Sequence, residues 1–235
     1  MALTTNLVSY WKLDESSGNA ADSVGANTLT NTSVTYGSSY GKINNGASFN
    51  GSSSILQNTS PSGIPSGSTA RTVNVWIKPS AVTSTSGTYA VYWGTGATRE
   101  VWLVGINSTG HPTVAVYADD LTSTQTLTVG TWYMLTAVYD GNVTLSLYIN
   151  GTLDSTHTLA APLNTIISAQ GMALGNWAGT SDWYNGAEDE VGIWSRALTS
   201  TEVTQLYNGG AGLQYPFSAP SSFIPSPAMH LRQLM

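Results

Sequence analysis

Three consecutive acidic residues, Glu188, Asp189 and Glu190, have the types and spacing that could support chemistry in this sequence. They lie in an alternating stretch, so a β-strand would place Glu188 and Glu190 on one face, roughly 6–7 Å apart. Carboxylates at such a separation act together in glycoside hydrolysis. Two outward glutamates can also do no more than solvate a strand. The stretch therefore raises a hydrolase hypothesis beside a purely structural one.

The middle acid of this stretch has a different expected orientation. Asp189 shares its strand face with Val191 and Ile193, so we predict that its side chain points inward. A buried carboxylate needs a cation or several hydrogen bonds. Near the N-terminus, Asp22 lies in a polar, glycine-containing loop with the composition of a turn or a cation-binding segment.

An aromatic loop precedes the acidic stretch and reads NWAGTSDWYNG. Carbohydrate sites pair aromatic platforms with short polar groups, and this loop offers both. Most aromatic side chains of a β-sandwich fill its interior, which is the alternative for each of them. The predicted carbohydrate contacts are Trp177, Asp182, Trp183 and Tyr184, and the aromatic residues expected to line one sheet are Tyr92, Trp93, Trp102 and Tyr117.

Strands and turns must position these side chains. Short stretches rich in β-branched and aromatic residues recur along the chain, and dipeptides such as Asp140-Gly141 predict hairpins between them. One helix is predicted near the C-terminus, where Thr199 and Glu202 have the spacing of a capping box. The pattern predicts an all-β fold, a two-sheet antiparallel β-sandwich (jelly roll) with one short C-terminal helix.

Composition excludes several classes of function. The chain has 235 residues, enough for one large β domain with a substantial core. A net charge of −6 with only seven basic residues argues against binding to nucleic acid. Cysteine is absent, which excludes disulfides and thiolate sites. Without a Sec-type signal or a membrane-spanning stretch, we expect cytoplasmic synthesis followed by delivery to a virion or an extracellular surface.

The last part of the chain has a different character. Residues 213–235 contain four prolines and no strand alternation, which predicts an extended Pro-rich arm following a domain at residues 1–212. The arm could fold back onto its own sandwich or dock on a neighbouring subunit, and its apolar tip favours the neighbour. The predicted docking residues are Phe217, Phe223, Ile224, Met229, Leu231 and Leu234.

Five blocks of sequence between Leu7 and Tyr207 carry a family pattern. They read YWKLDESSGNAADSVG, ASFNGSSS, RTVNVWIKP, GTWYMLTAVYDG with LSLYINGTL, and MALGN with YNGAEDEVGIWSRALTSTEVTQLY. In this order they resemble the laminin-G-like jelly-roll domains of the concanavalin A-like lectin/glucanase superfamily. The resemblance implies a two-sheet sandwich that acts as a glycan- or protein-binding module, an adhesion domain or a surface part, and not as a catalyst.

The resemblance also implies a structural calcium ion, with Asp22 and Asp189 as its carboxylate ligands. For Asp189, hydrogen bonds without a metal are the alternative. Glu188 departs from the family pattern, which has an apolar residue at that position. The consecutive acids also depart from the spaced acidic motif of the related sandwich glucanases.

These observations predict a non-catalytic, lectin-like surface or adhesion module. We expect it to be a structural accessory of a virion or similar assembly, such as a decoration or fibre-associated protein of a phage, that binds host glycans. The arm would join it to other protein subunits, while nucleic acid and membrane insertion are not expected. The alternatives are a stand-alone carbohydrate-binding protein and a glycoside hydrolase.

Overall fold

Frequent turns divide the chain into short strands. The structure is a computed structural model that describes residues 2–82, 87–177 and 182–217. Within these ranges the strands are β1 (Leu7–Trp11), β2 (Thr30–Thr32), β3 (Thr35–Gly37), β4 (Gly46–Asn50), β5 (Ile55–Asn58), β6 (Arg71–Pro79), β7 (Thr88–Gly94), β8 (Val101–Ile106), β9 (Pro112–Ala115), β10 (Leu121–Thr122), β11 (Tyr133–Tyr139), β12 (Thr144–Ile149), β13 (Thr152–Thr158), β14 (Met172–Leu174) and β15 (Asn185–Trp194). The helices are α1 (Ser200–Tyr207) and two short 3₁₀ turns, Ser38–Tyr40 and Asn208–Gly210.

The strands form two antiparallel sheets. The eight-stranded sheet has the order β13-β12-β11-β6-β15-β4-β3, with β1 pairing to the second half of β15. The seven-stranded sheet has the order β10-β9-β8-β7-β14-β5-β2. Neighbours distant in sequence lie side by side, as in a jelly roll. The predicted all-β two-sheet sandwich is confirmed.

The main core lies between the two sheets and follows the alternation of the strands. In β6, for example, Val73, Val75 and Ile77 face this interior, whereas Trp76 belongs to a second cluster on the outer side of the eight-stranded sheet. Alternate residues of a strand point to opposite faces, so each sheet has an inner and an outer surface. The two outer surfaces are covered differently, and this difference is important for the site.

Helix α1 covers part of the outer surface of the eight-stranded sheet. Its predicted capping box is present: Thr199 Oγ1 accepts from the Glu202 backbone N–H, and Glu202 Oε2 accepts from the Thr199 N–H. Asn208, at φ 48°, ends the helix in the left-handed conformation. Val203 and Leu206 are buried against the sheet. Among the described residues, no helix is long and apolar enough to cross a membrane.

Candidate functional site

The outer surface of the seven-stranded sheet carries an aromatic cluster. Trp177 and Trp183 pack, partly buried, on a layer that includes Tyr89, Tyr92 and Leu103. The ring of Trp177 meets Tyr89 edge-on, with centroids 6.1 Å apart and an interplanar angle of 81°. The Tyr92 hydroxyl donates to the carbonyl of Gly94 at 2.7 Å, which fixes this ring beneath the surface. The aromatic layer is thus organised by the sheet.

The chain reaches this surface by a turn that requires glycine. Gly175 follows β14 with φ +83°, and a Cβ there would collide with the ring of Phe49. Asn176 and Trp183 then pair as an isolated antiparallel bridge, which closes the loop between them. Residues 178–181 of this loop lie outside the described residues. Both ends of the loop are therefore fixed on the sheet.

Tyr117 is the exposed aromatic residue next to Trp177. Its side chain is 45% exposed, and both Tyr117 and Ala118 have positive φ angles, +65° and +64°. A Cβ built on Gly96 would lie 3.3 Å from Trp177 Cζ2 and 3.9 Å from Tyr117 Cε2, so the two rings flank this glycine. Positive φ is unfavourable for residues with a side chain and concentrates at functional sites.

The neighbouring backbone holds Tyr117 in this conformation. Asp120 Oδ1 accepts from the N–H of Val116 at 2.7 Å, and the carbonyl of Val116 accepts from the N–H of Arg99. These bonds join the loop that carries Tyr117 to the loop that carries Gly96. We call Gly96, Tyr117 and Trp177 the aromatic platform.

Carboxylates surround this surface. Asp119 accepts from His157 Nε2 at 2.8 Å and lies 3.5 Å from Arg99. Burial raises its pKa, but the hydrogen bonds from His157 and the Ala160 N–H outweigh burial, so the pKa lies below its usual value. Burial raises the pKa of Tyr89 to about 12, and the carboxylates of Asp120 and Asp182 add to that effect. The surface is thus polar and acidic around its rings.

The predicted carbohydrate contacts divide between this surface and the core. Trp177 and Trp183 lie together on the outer surface, and Asp182, only 7% exposed, lies near Tyr89. Tyr184 belongs to the main core and is fully buried, with its hydroxyl donating to the carbonyl of Ala187 at 3.2 Å. Because it presents no surface to a ligand, Tyr184 is assigned to the core and not to the contact residues.

The further aromatic residues divide in the same way. Tyr92 and Tyr117 lie on the outer side of the sheet, whereas Trp93 and Trp102 stack on each other inside the core. Sequence reasoning missed Gly96, whose role depends on two rings from distant loops. It also missed a groove at the far edge of the same sheet, although the alternating threonines of TLTNT were a signal for it.

The acidic stretch lies in β15 and does not have the predicted alternation. Glu188 pairs with Ile77 and faces the main core, whereas Asp189 pairs with Trp76 and faces the outer side. A β-bulge follows, with Glu190 at φ +52°. The prediction that Glu188 and Glu190 share a solvent-facing surface is wrong, because both are buried and the bulge turns Glu190 to the outer side.

Each of the three acids has its own environment. Neither carboxyl oxygen of Glu188 has a hydrogen-bond partner among the described residues, and burial raises its pKa well above the usual value. Asp189 accepts from the N–H groups of Lys42 and Ile43 at 2.7 and 2.8 Å, and burial, then Glu190, raise its pKa to about 9. Burial raises the pKa of Glu190 to about 8. Asp189 and Glu190 therefore join the strand to its neighbours, and the three buried acids form no paired carboxylates at a surface.

The two aspartates expected to bind calcium both accept backbone hydrogen bonds. Asp22 accepts from four N–H groups, those of Tyr10, Val24, Gly25 and Asn27, each at 3.0 Å. Asp189 turns away from the core interior that was predicted for it. The described ranges contain no group of three His, Cys, Asp or Glu side chains that could hold a metal ion. Calcium binding by Asp22 and Asp189 stays a prediction.

The beginning of the predicted arm lies on its own sandwich. Phe217 stacks on Trp194 with centroids 6.2 Å apart and meets Tyr10 edge-on at 5.4 Å. Gln214 Nε2 donates to Glu190 Oε1 at 2.6 Å. Phe217 thus contacts its own domain, and its role in docking stays a prediction. The other predicted docking residues lie outside the described residues, namely Phe223, Ile224, Met229, Leu231 and Leu234.

Solved structures with the same fold are numerous. Domain 4 of AbnA, a GH43 extracellular arabinanase from Geobacillus stearothermophilus in complex with arabinotriose, is 23% identical, with a TM-score of 0.63 over 85% of this chain and 97% of that one. The binding domain of Paraclostridial Mosquitocidal Protein 1 is 18% identical, with a TM-score of 0.69 over 89% of this chain. The receptor binding domain of botulinum neurotoxin D is 14% identical, with a TM-score of 0.64 over 89%. The chain spans about half the length of the two toxin structures, 53% and 54%.

Sequence comparison gives the family directly. No curated protein matches the chain significantly. Residues 50–204 match the Laminin_G_3 family of the concanavalin A-like lectin/glucanases superfamily, a range that runs from the end of β4 into α1. With this match covering most of the sandwich described above, the chain belongs to the laminin-G-like family of that superfamily.

Proposed function

We propose that this domain is a lectin-like module that binds a neutral glycan on the aromatic platform. The observation that carries the proposal is the placement of Tyr117 and Trp177 on either side of Gly96. The glycine lets the Trp177 ring lie close to the backbone beside Tyr117, where a Cβ would crowd it, and aromatic faces stack on the C–H faces of sugars. Holding an exposed tyrosine at φ +65° costs free energy, which a role in binding would explain.

The polar groups around the platform suit sugar hydroxyls. The carboxylates of Asp119, Asp120 and Asp182 border the surface. Carboxylates accept hydrogen bonds from hydroxyl groups but repel anions, and the Arg99 guanidinium that faces Asp119 already pairs with it. The proposed ligand is therefore an uncharged glycan and not a sialylated or sulfated one.

The structural neighbours support a role in binding. Those compared above include binding domains of toxins and an arabinanase domain in complex with arabinotriose. Their low identities establish only the shared fold, so the ligand of this domain has to be found by experiment.

A glycan array probed with the purified chain tests this proposal. We expect binding to neutral glycans and a loss of about thirtyfold in affinity, about 2 kcal/mol, for Trp177→Ala. Trp132→Ala is the matched control, because Trp132 is also half-buried but lies beside Lys78 on the other sheet. Retained affinity in Trp177→Ala, or exclusive binding to anionic glycans, would contradict the proposal.

The role in a virion or similar assembly remains a prediction from the sequence. It rests on the apolar residues of the arm beyond Phe217. The direct measurement is whether the full chain co-purifies with assembled particles, and whether a chain ending at residue 217 does not. Equal incorporation of both forms would remove the arm from this role and leave a stand-alone glycan-binding protein as the better description.

A further inference from the structure

A polar groove lies at the β2 edge of the seven-stranded sheet. It has a volume of about 250 Å³. Its threonines at positions 28, 30 and 32 are exposed, and Gln57 and Asn58 of β5 are half-buried. The lining residues are Thr28, Thr30, Thr32, Gln57, Asn58 and Thr59.

The register of the sheet connects this groove to the aromatic surface. Thr30 pairs with Gln57, Gln57 with Ala173, and Ala173 with Tyr92. Directly paired residues lie on the same face of a sheet, so the groove opens on the outer side, where Trp177 packs. Three strand spacings separate Thr30 from Tyr92, which is about 14 Å. The groove and the aromatic platform are therefore parts of one continuous face.

The side chains that line the groove are all polar and uncharged. Hydroxyl and amide groups line it, without a charged or aromatic side chain. Gln57 Nε2 donates to the carbonyl of Gln170 at 2.9 Å, which orients the amide. In the part of the chain that the structure describes, the hydroxyls of Thr28, Thr30 and Thr32 have no protein hydrogen-bond partner. Groups of this kind can both donate to and accept from a ligand rich in hydroxyls.

We infer that the ligand is a linear, neutral oligosaccharide that runs from the aromatic platform across the outer face of the seven-stranded sheet into the threonine groove. This inference rests on the proposed function and adds the class of glycan, an extended chain and not a single terminal sugar. The platform supplies stacking and most of the affinity. The groove adds hydrogen bonds that only a longer chain can reach.

A length series distinguishes these two contributions. The probes are linear oligosaccharides derived from arabinan, xylan and cellulose, from trisaccharide to octasaccharide, with affinity measured by calorimetry on the full chain. We expect the affinity for the preferred series to rise by about tenfold with length, equivalent to one or two additional hydrogen bonds. Thr30→Val with Thr32→Val, which keeps the shape and removes two hydroxyls, should abolish the gain for long chains and leave the trisaccharide unaffected.

A control and distinct outcomes complete the test. Thr35→Val removes an exposed hydroxyl from β3, the equivalent edge strand of the eight-stranded sheet, and should change nothing. Binding that is independent of length, or a length gain that survives the double variant, would overturn the inference and leave the platform proposal intact. Failure of every oligosaccharide to bind would overturn both. Thermal unfolding of each variant checks that the domain remains folded.

Discussion

The two outer faces of this sandwich carry similar side chains but are covered differently. On the eight-stranded sheet, helix α1 and residues 213–217 lie over the strands, and Trp76 stacks on Tyr207 at 5.8 Å. On the seven-stranded sheet, Trp177 and Trp183 pack on the aromatic layer, and Tyr117 remains 45% exposed. The first face resembles a second core. The second resembles a recognition surface.

This difference shows how one set of residue types can serve two purposes. Tryptophan and tyrosine offer large apolar surfaces with a polar edge, which suits both burial and contact with a ligand. On the outer face of the eight-stranded sheet, which we call the covered face, Trp194 Nε1 donates to the carbonyl of Leu3 at 2.6 Å. We therefore expect substitutions on the covered face to change stability and those on the open face to change binding.

Trp194→Ala should have the largest effect on stability. Trp194 is fully buried, and its removal would leave a cavity beneath Phe217, with an expected cost of about 4 kcal/mol in the free energy of unfolding. Trp177→Ala, on the open face, should cost less than about 2 kcal/mol because part of its ring is already solvated. Urea unfolding of both variants measures the contrast, and equal losses would mean that Trp177 is a structural residue.

Breaking the ion pair between Arg196 and Glu202 of helix α1 should have the next largest effect on stability. Arg196 Nη1 and Nη2 donate to the two oxygens of Glu202, each at 2.8 Å, and both side chains are nearly buried. Glu202→Gln leaves the guanidinium without its counter-charge and should cost about 3 kcal/mol at neutral pH.

The pH dependence of this loss has a definite sign. The hydrogen bonds from Arg196 lower the pKa of Glu202 from 4.5 to about 2. The stabilisation is therefore present above pH 4.5 and disappears as the pH falls towards 2. Urea midpoints of wild type and Glu202→Gln should converge over that range, and a constant difference between them would contradict the assignment.

Short-range sequence patterns predicted the helix that lies on the covered face. The capping box of Thr199 and Glu202 depends on residues three positions apart, so the sequence alone predicted the start of α1. The bulge at Glu190 depends instead on how β15 pairs with β6, and strict alternation therefore placed Glu188 and Asp189 on the wrong faces. The burial of Tyr184 also depends on a partner distant in sequence, because its ring packs edge-on against Phe49 in the core. The platform combines residues from three separate loops, which no local pattern reveals.

Glu188→Leu should stabilise the domain, by about 2 kcal/mol at neutral pH. Glu188 faces the core between the sheets, and within the described ranges both of its oxygens lack a partner; such a group costs about 1–3 kcal/mol. Leucine has a similar volume and restores the apolar character of the site.

The same substitution should reduce the pH dependence of stability above about pH 4.5. Burial raises the pKa of Glu188, and burial likewise raises that of Glu190 to about 8. An acid whose pKa is raised by folding stabilises the folded state fully below its unfolded value of 4.5, and that contribution is lost as the pH rises through the folded pKa. Stability should therefore decline from about pH 4.5 upward. Denaturation between pH 5 and 9 should give a shallower decline for Glu188→Leu than for wild type, and identical slopes would show that Glu188 does not titrate between the two states.

Tyr117→Gly should have the smallest effect on stability, a slight gain, and should weaken the binding of the glycan. A left-handed conformation costs a residue with a side chain about 1–2 kcal/mol, while glycine loses about 0.5–1 kcal/mol of conformational entropy on folding, so a net gain of about 0.5 kcal/mol is expected. Loss of one ring of the platform should weaken glycan affinity by about tenfold. Ala118→Gly is the matched control, because Ala118 has nearly the same φ angle and no ring: it should gain the same stability without any loss of affinity. A parallel loss of affinity in both variants would mean that the conformation of this loop, and not the ring of Tyr117, recognises the glycan.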